Sequence, residues 1–137
     1  MKHVLIDSDV IIDFLTDRHP FSESAANIIM LCEKNIMKGY ITPVIIANAN
    51  YILKKSNSHR AIMEQIKGLL TIIDIVHIDK EVILKAANSD FTDFEDALQN
   101  FSAIKHDEVT TIITRNVKDY QKSTLAVFTP EMYLKQN

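Results

Sequence analysis

Short apolar runs alternate along the chain with segments in which apolar residues recur at helical spacing. Apolar or β-branched runs predict strands at 2–6, 40–42, 75–78, 110–114 and 125–128. Helical spacing and capping residues predict helices at about 9–16, 23–37, 44–55, 60–70, 80–88 and 95–106, with a last helix opened by Pro130. This alternation is typical of a mostly parallel sheet with helices on both faces, so the sequence predicts a three-layer α/β/α sandwich.

Single residues set the expected ends and faces of several elements. Ser8 is expected to cap the first helix, and Gly39 is expected to end the second. Tyr51 and Phe94 are expected to pack in the core. These four assignments follow from local patterns alone.

Composition limits the class of protein. With 137 residues, the chain is expected to form one domain over residues 1–137. It contains no apolar run long enough for a membrane span, and a single cysteine, Cys32, excludes an intramolecular disulfide and suits the cytoplasm. The formal net charge of −3 is unlike that of proteins that bind nucleic acid through bulk basic charge. Any contact with nucleic acid must therefore be local.

Four acidic residues stand where sites form in parallel sheets. Asp7 and Asp9 close the first strand, whereas Asp93 and Asp96 open a later helix, three residues apart and so on one face. The carboxyl ends of parallel strands share one edge, where the two groups would meet. Carboxylates at close range need a cation, and hard oxygen ligands select Mg²⁺ or Mn²⁺. The pattern predicts a divalent metal site.

Structural roles are an alternative for three of these acids. Asp9 can help to cap the first helix. Asp93 and Asp96 lie in a first helical turn, where the macrodipole favours acids, and Thr92 with Glu95 fits a capping box.

Other charged residues have simpler expectations. Asp7 is hard to explain structurally, because a carboxylate directly after a buried strand needs partners. Asp13 is expected to be a solvated surface charge, and Arg115 either contacts phosphate or makes an ordinary ion pair. A basic cluster at a predicted helix end comprises Lys54, Lys55, His59 and Arg60. Its expected role is to complement the helix dipole, and a role in binding RNA is less favoured.

Four segments, in order across essentially the whole chain, resemble the motifs of PIN-domain proteins. VLIDSDVIIDFL resembles the opening, where a strand ends in Asp, a small hydroxyl residue and usually Asn. DFEDAL resembles the third acidic motif, with Asp96 as the matching acid. ITRNVKDY resembles the fourth motif, Thr-Arg-Asp followed by an aromatic residue, and TPEMYL resembles the usual ending. The resemblance implies a PIN-like fold.

Two departures from the family pattern concern the metal site. The second family acid, a Glu early in the third helix, is matched here by Asn48. Asn116 stands in the fourth motif where Asp is common, while Asp9 replaces a common Asn and restores one charge. An amide oxygen can ligate a hard cation but cannot act as a general base.

Many PIN domains are metal-dependent ribonucleases, including VapC-type toxins that an antitoxin silences. The resemblance therefore implies a cytoplasmic endoribonuclease that uses Mg²⁺ or Mn²⁺, cleaves single-stranded RNA and binds an antitoxin or a second copy of itself. The catalytic set it implies comprises Asp7, Asp96, Asn48 and Asn116. The metal set comprises Asp7, Asp96, Asp9 and Asp93, and the substrate contacts are Thr114, Arg115 and Ser8.

Two other functions stay open. The amides at positions 48 and 116 favour a PIN-like module that binds RNA or a protein partner without cleaving. A phosphatase or phosphoacceptor domain of similar topology is less favoured, because the acids are too dispersed for a single aspartyl-phosphate site.

Overall fold

The computed structural model describes residues 1–136, which form a parallel five-stranded sheet flanked by helices. The strands are β1 (Lys2–Ile6), β2 (Met37–Ile41), β3 (Asp74–Ile75), β4 (Thr111–Ile113) and β5 (Ala126–Phe128). The helices are α1 (Ser8–Thr16), α2 (Ser22–Glu33), α3 (Pro43–Leu53), α4 (His59–Leu70), α5 (Lys80–Ala87), α6 (Phe94–Lys105) and α7 (Pro130–Lys135), with a 3₁₀ turn at Val117–Tyr120. The predicted α/β class is confirmed. Within residues 1–136, no helix is long and apolar enough to cross a membrane.

The strand order β3-β2-β1-β4-β5 places β1 at the centre of the sheet. Leu5 pairs with Tyr40 of β2 on one side and with Ile112 of β4 on the other. Val4 and Ile6 pack in one core cluster and Leu5 in another, so both faces of the strand are buried. The chain builds outward from β1 to β3 and then restarts on the other side with β4. This reversal makes the carboxyl end of β1 a topological switch point, where ligand sites form.

Gly39 lies inside β2, so the prediction that it ends the second helix is wrong. The helix ends at Glu33, and Asn35 adopts the left-handed conformation, with φ of 59°, that a helix end commonly requires. Gly39 is needed for packing instead. A Cβ atom there would lie 2.7 Å from Sγ of Cys32 and 3.1 Å from Cδ1 of Ile6. The absence of a side chain lets α2 pack directly on the sheet.

Other local predictions also need correction. Asp7, not Ser8, caps α1, because the Asp7 carboxylate accepts from the Ser8 amide. The third strand stops at Ile75 because its partner β2 has already given way to α3. Tyr51 and Phe94 are 59% and 52% exposed, so neither packs in the core.

Gly39→Ala should lower the free energy of unfolding by about 1–3 kcal/mol, since the new methyl group would overlap Cys32 in a packed core. Gly68→Ala is the matched control, because a Cβ there meets nothing within 4 Å. Gly68 lies in α4, where alanine should raise stability by about 0.5–1 kcal/mol. Urea titration of both variants measures the difference, and equal effects would contradict the packing role of Gly39.

Candidate functional site

Asp7 is held at the switch point between β1 and β4. Its amide donates to the carbonyl of Ile113 at 2.9 Å, which extends the β1–β4 ladder by one residue. The carboxylate is 6% exposed, and its Oδ1 accepts from the Ser8 amide at 2.8 Å. A buried acid is thereby fixed at the sheet edge, as its position after an apolar strand predicts.

The Thr114 side chain joins Asp7 to Asp9. Thr114 follows β4 directly and is fully buried. Its hydroxyl lies 2.9 Å from Oδ2 of Asp7 and 3.3 Å from Oδ2 of Asp9. The hydroxyl also accepts from the Asn116 amide at 3.0 Å. Because it has one proton, it can donate to only one of the two carboxylates at a time.

Asp9 has one well-bonded oxygen and one without a partner. Besides Thr114, its Oδ2 accepts from the Arg115 amide at 3.1 Å and from Nδ2 of Asn116 at 3.0 Å. Its Oδ1 is buried, and no hydrogen-bond partner for it exists among the described residues. A buried carboxylate oxygen without a donor calls for a positive partner.

Asp96 approaches the same edge from the first turn of α6. The phenol of Tyr120, which is 1% exposed, donates to Oδ1 of Asp96 at 3.3 Å. Asp93 is the N-cap of α6, and its Oδ1 accepts from the Asp96 amide at 3.0 Å. Asp93 therefore has the structural role of a cap, which replaces the capping box considered for Thr92 and Glu95.

Burial and mutual repulsion keep the carboxylates from ionising easily. Burial, followed by the charge of Asp9, raises the pKa of Asp7 to about 7. Burial also raises the pKa of Asp9. Burial, followed by the charge of Asp93, raises the pKa of Asp96 to about 6. Burial beside Asp7 and Asp96 raises the pKa of Tyr120, so its phenol stays a donor. The site has an excess of negative charge that a cation would relieve.

The side-chain amides of Asn48 and Asn116 each donate a hydrogen bond to a carboxylate from another element. Asn116 donates to Asp9, as described above. Asn48 of α3 donates from Nδ2 to Oε1 of Glu95 in α6, at 2.8 Å. The structure therefore places a carboxylate next to each amide.

Asp13 is 1% exposed, so the prediction of a solvated charge is wrong. Oδ2 of Asp13 lies 2.6 Å from Nε of Arg115, and its Oδ1 lies 3.2 Å from Nη2. The guanidinium carbon lies 4.0 Å from the centre of the Phe21 ring. Arg115 thus makes the ion pair that was one of its two expected roles. This ion pair connects α1 to the loop after β4, in which the backbone amide of Arg115 binds Asp9.

The residues present fit a hydrated divalent cation. Within the described part of the chain, no three His, Cys, Asp or Glu side chains form a ready-made cage for a metal ion. Mg²⁺ does not need such a cage, because it keeps several waters and commonly binds through one or two carboxylates. The paired Asp7 and Asp9, with the unpartnered Oδ1 of Asp9, supply that kind of donor set.

Arg115→Met should lower the free energy of unfolding by about 3 kcal/mol, because it leaves the buried Asp13 charge without a counterion. Asp13→Leu combined with Arg115→Met should cost less than Arg115→Met alone, since no buried charge then remains. Chemical denaturation of the two variants tests this account. A double variant less stable than the single one would contradict it.

Asp7→Asn should stabilise the protein above neutral pH in chelator. Folded Asp7 keeps its proton up to a pKa of about 7, against 3.8 as the ordinary value, so wild type loses stability as the pH rises between these values. At about pH 8 the free energy of unfolding of the variant should exceed that of wild type by at least about 1 kcal/mol, and this difference should disappear below about pH 4. Thermal unfolding against pH measures this, with the exposed Asp74→Asn as control. Parallel curves for Asp7→Asn and wild type would contradict the shift.

The chain is similar to known proteins along most of its length. The PIN domain family matches residues 3–118. Ribonuclease VapC1 of Aquifex aeolicus is 26% identical over 140 residues, covering 96% of this chain and 93% of that protein.

Solved structures share the fold. A chain of a toxin–antitoxin complex from Klebsiella pneumoniae superposes with a TM-score of 0.69 at 19% identity, over 93% of this chain and 97% of that one. The sarcin-ricin loop cleaving toxin VapC20 of Mycobacterium tuberculosis superposes with a TM-score of 0.61 at 14% identity, over 80% and 86%. The match over residues 3–118 and the acidic edge at the switch point of the sheet together establish that this chain belongs to the PIN domain family.

Proposed function

We propose that this protein is an endoribonuclease that uses Mg²⁺ or Mn²⁺, cleaves single-stranded RNA in the cytoplasm and is held inactive by an antitoxin. The observation that carries the proposal is the pair Asp7 and Asp9: both carboxylates lie within hydrogen-bond distance of one hydroxyl, while one buried Asp9 oxygen lacks a donor. Two findings support RNA as the substrate. The chain belongs to the PIN domain family, and its similarity to a ribonuclease extends over nearly the full length of both proteins.

Each site residue has a distinct task in this proposal. Asp7 and Asp9 hold the cation, and Asp96 contributes charge from α6. Thr114 and the Arg115 amide orient the two carboxylates. The bound cation would neutralise charge on the scissile phosphate and lower the pKa of an attacking water. The guanidinium of Arg115 is engaged by Asp13, so it acts by fixing the loop.

An antitoxin partner is the second part of the proposal. It is supported by the similarity to a chain of a toxin–antitoxin complex over nearly the full length of both chains. A gene for a small protein directly beside this one is the expected source. Coexpression should yield a complex and suppress cleavage. Self-association stays a prediction, which light scattering tests.

Wild type should cleave a labelled single-stranded RNA in Mn²⁺ and not in chelator. Asp7→Asn and Asp96→Asn should each lower the rate by about 100-fold, because each removes a carboxylate from the proposed site. Asp74→Asn is the matched control, since Asp74 is a surface acid of β3 paired with Lys38.

Two results would contradict the proposal. Equal cleavage by wild type and Asp7→Asn would mean that the activity does not depend on the proposed site. RNA binding by wild type without cleavage in either metal would favour the alternative, a PIN-like module that binds without cutting.

A further inference from the structure

An aromatic residue stands on the surface near the C-terminal end of α3. Tyr51 is 59% exposed, and the ammonium groups of Lys54 and Lys55 lie 5.2 and 5.3 Å from the centre of its ring. Within residues 1–136, neither lysine has an acidic ion-pair partner. Single-stranded nucleic acid binds to surfaces of this composition, because its bases stack on aromatic rings and its phosphates attract cations.

Contacts with α6 fix the direction in which α3 runs. At the start of α3, the Thr42 hydroxyl donates to Oε1 of Gln99 at 2.8 Å, and both residues are at most 1% exposed. Further along α3, Nδ2 of Asn48 donates to Oε1 of Glu95 at 2.8 Å. As α3 advances, its partners on α6 therefore move back toward the first turn of α6, so the two helices are antiparallel.

Tyr51 lies past the beginning of α6. That helix begins at Phe94, one residue before Glu95, whereas α3 continues beyond Asn48 as far as Leu53. Tyr51 follows Asn48 by three residues, so both lie on the same face of α3, with a rise of about 4.5 Å between them. This face has α6 beside it at Asn48 and has passed the start of α6 at Tyr51, which accounts for the exposure of the ring.

The acidic edge lies at the same end of α6. The first turn of α6 contains Asp96, whose charge is close enough to act on Asp7. Because α6 runs from this edge back to the start of β4, the antiparallel α3 points away from the sheet beyond the edge. α3 also packs against α1, the helix that carries Asp9. An RNA strand that reaches the carboxylates from solvent can therefore pass the end of α3.

The basic cluster at this end of α3 is not explained by helix dipoles alone. Lys54 and Lys55 directly follow α3, where positive charge complements the dipole. His59 and Arg60 instead begin α4, where the dipole disfavours positive charge, and the first turn of α4 contains no acid to offset it. The dipole role expected from the sequence is therefore wrong for these two residues. A polyanion is the partner that this local charge fits.

We propose that Tyr51 stacks on a base of the single-stranded RNA substrate while Lys54 and Lys55 bind its phosphates. This inference rests on the proposed function and names the surface that holds the RNA beside the acidic edge. These three residues form what is called below the α3 platform. Stacking on it is tolerant of sequence, since every base has an aromatic face.

A purely structural role for the ring predicts a different result. The contacts of Lys54 and Lys55 with Tyr51 would then only stabilise the end of α3. Tyr51→Ala would lower the Tm and leave RNA binding unchanged. The α3 platform predicts the reverse, namely weaker RNA binding by a variant that folds as wild type does.

The first test is binding of a fluorescein-labelled oligouridine to the full chain in chelator, measured by fluorescence anisotropy. Tyr51→Ala should weaken binding about tenfold, whereas Tyr51→Phe keeps the ring and should bind within about twofold of wild type. Ile52→Ala is the matched control, because Ile52 is 38% exposed on the same helix and is not aromatic. It should bind as wild type does.

Salt dependence separates the ring from the lysines. Lys54→Gln and Lys55→Gln should each weaken binding and lower the slope of log Kd against log salt concentration by about 0.7, since each removes a phosphate contact. Tyr51→Ala should leave the slope unchanged, because stacking releases no counterion. Lys67→Gln is the control, since Lys67 is a surface lysine of α4 paired with Glu64. It should change neither the affinity nor the slope.

Cleavage kinetics in Mn²⁺ give a second readout. Tyr51→Ala should raise KM about tenfold and leave kcat within about twofold of wild type, because the ring binds RNA without touching the reacting atoms. A Tyr51→Ala variant with unchanged KM and lowered kcat would contradict the platform.

The outcomes separate this inference from the function on which it rests. If Tyr51→Ala binds the oligouridine as wild type does while wild type cleaves RNA in Mn²⁺, the platform is overturned and the proposed function stands. Wild type that binds the oligouridine through Tyr51 but cleaves no RNA would support the platform and overturn the proposed function. If Tyr51→Ala loses self-association in light scattering and keeps its RNA affinity, the surface binds a second copy of the chain instead. Wild type that does not bind the oligouridine would overturn the platform whatever its activity.

Discussion

Two carboxylates that compete for the proton of one hydroxyl group set the constraint on which this edge of the protein depends. Asp7 and Asp9 both approach Thr114, and Asp9 has a buried oxygen without a donor. Repulsion between buried acids would drive such a pair apart or neutralise it by protonation. The surrounding elements prevent separation, since Asp7 is fixed to β4 by its amide and Asp9 to the loop after β4. The two carboxylates therefore stay close together, and binding of a proton or a cation reduces the repulsion between them.

The supports around the pair come from all parts of the chain. Arg115 binds Asp9 through its backbone amide and Asp13 through its guanidinium, so one residue connects the sheet edge to the first turn and to the interior of α1. On the other side, the Thr42–Gln99 bond sets α3 against α6. Affinity for the cation should therefore respond to residues that never touch it, because they hold the carboxylates in place.

The sequence predicted the sheet class and the acidic edge, because both follow from local patterns. Apolar strands followed by Asp7 and by Thr114 place polar residues at one edge of any parallel sheet. Asp13 lies four residues after Asp9 and so on the same face of α1. It was misjudged because its burial depends on the tertiary position of Arg115, which is distant in the sequence. The spacing of Asp9 and Asp13 was the available signal.

Long-range pairs had no local signal at all. Gly39 was misjudged because its need for close packing depends on Cys32 in another element. The bond from Asn48 to Glu95 joins residues 47 positions apart, and nothing near either residue in the sequence predicts it.

An anomalous difference map from crystals grown with Mn²⁺ tests the central claim most directly. The account predicts one strong peak at the carboxyl end of β1, against the carboxylates of Asp7 and Asp9 and facing Asp96. It also predicts one of two contacts for Oδ1 of Asp9. This oxygen either binds the ion directly, at about 2.0–2.3 Å, or accepts a hydrogen bond from a water bound to the ion. A fully occupied peak elsewhere, with this edge lacking one at saturating Mn²⁺, would contradict the account.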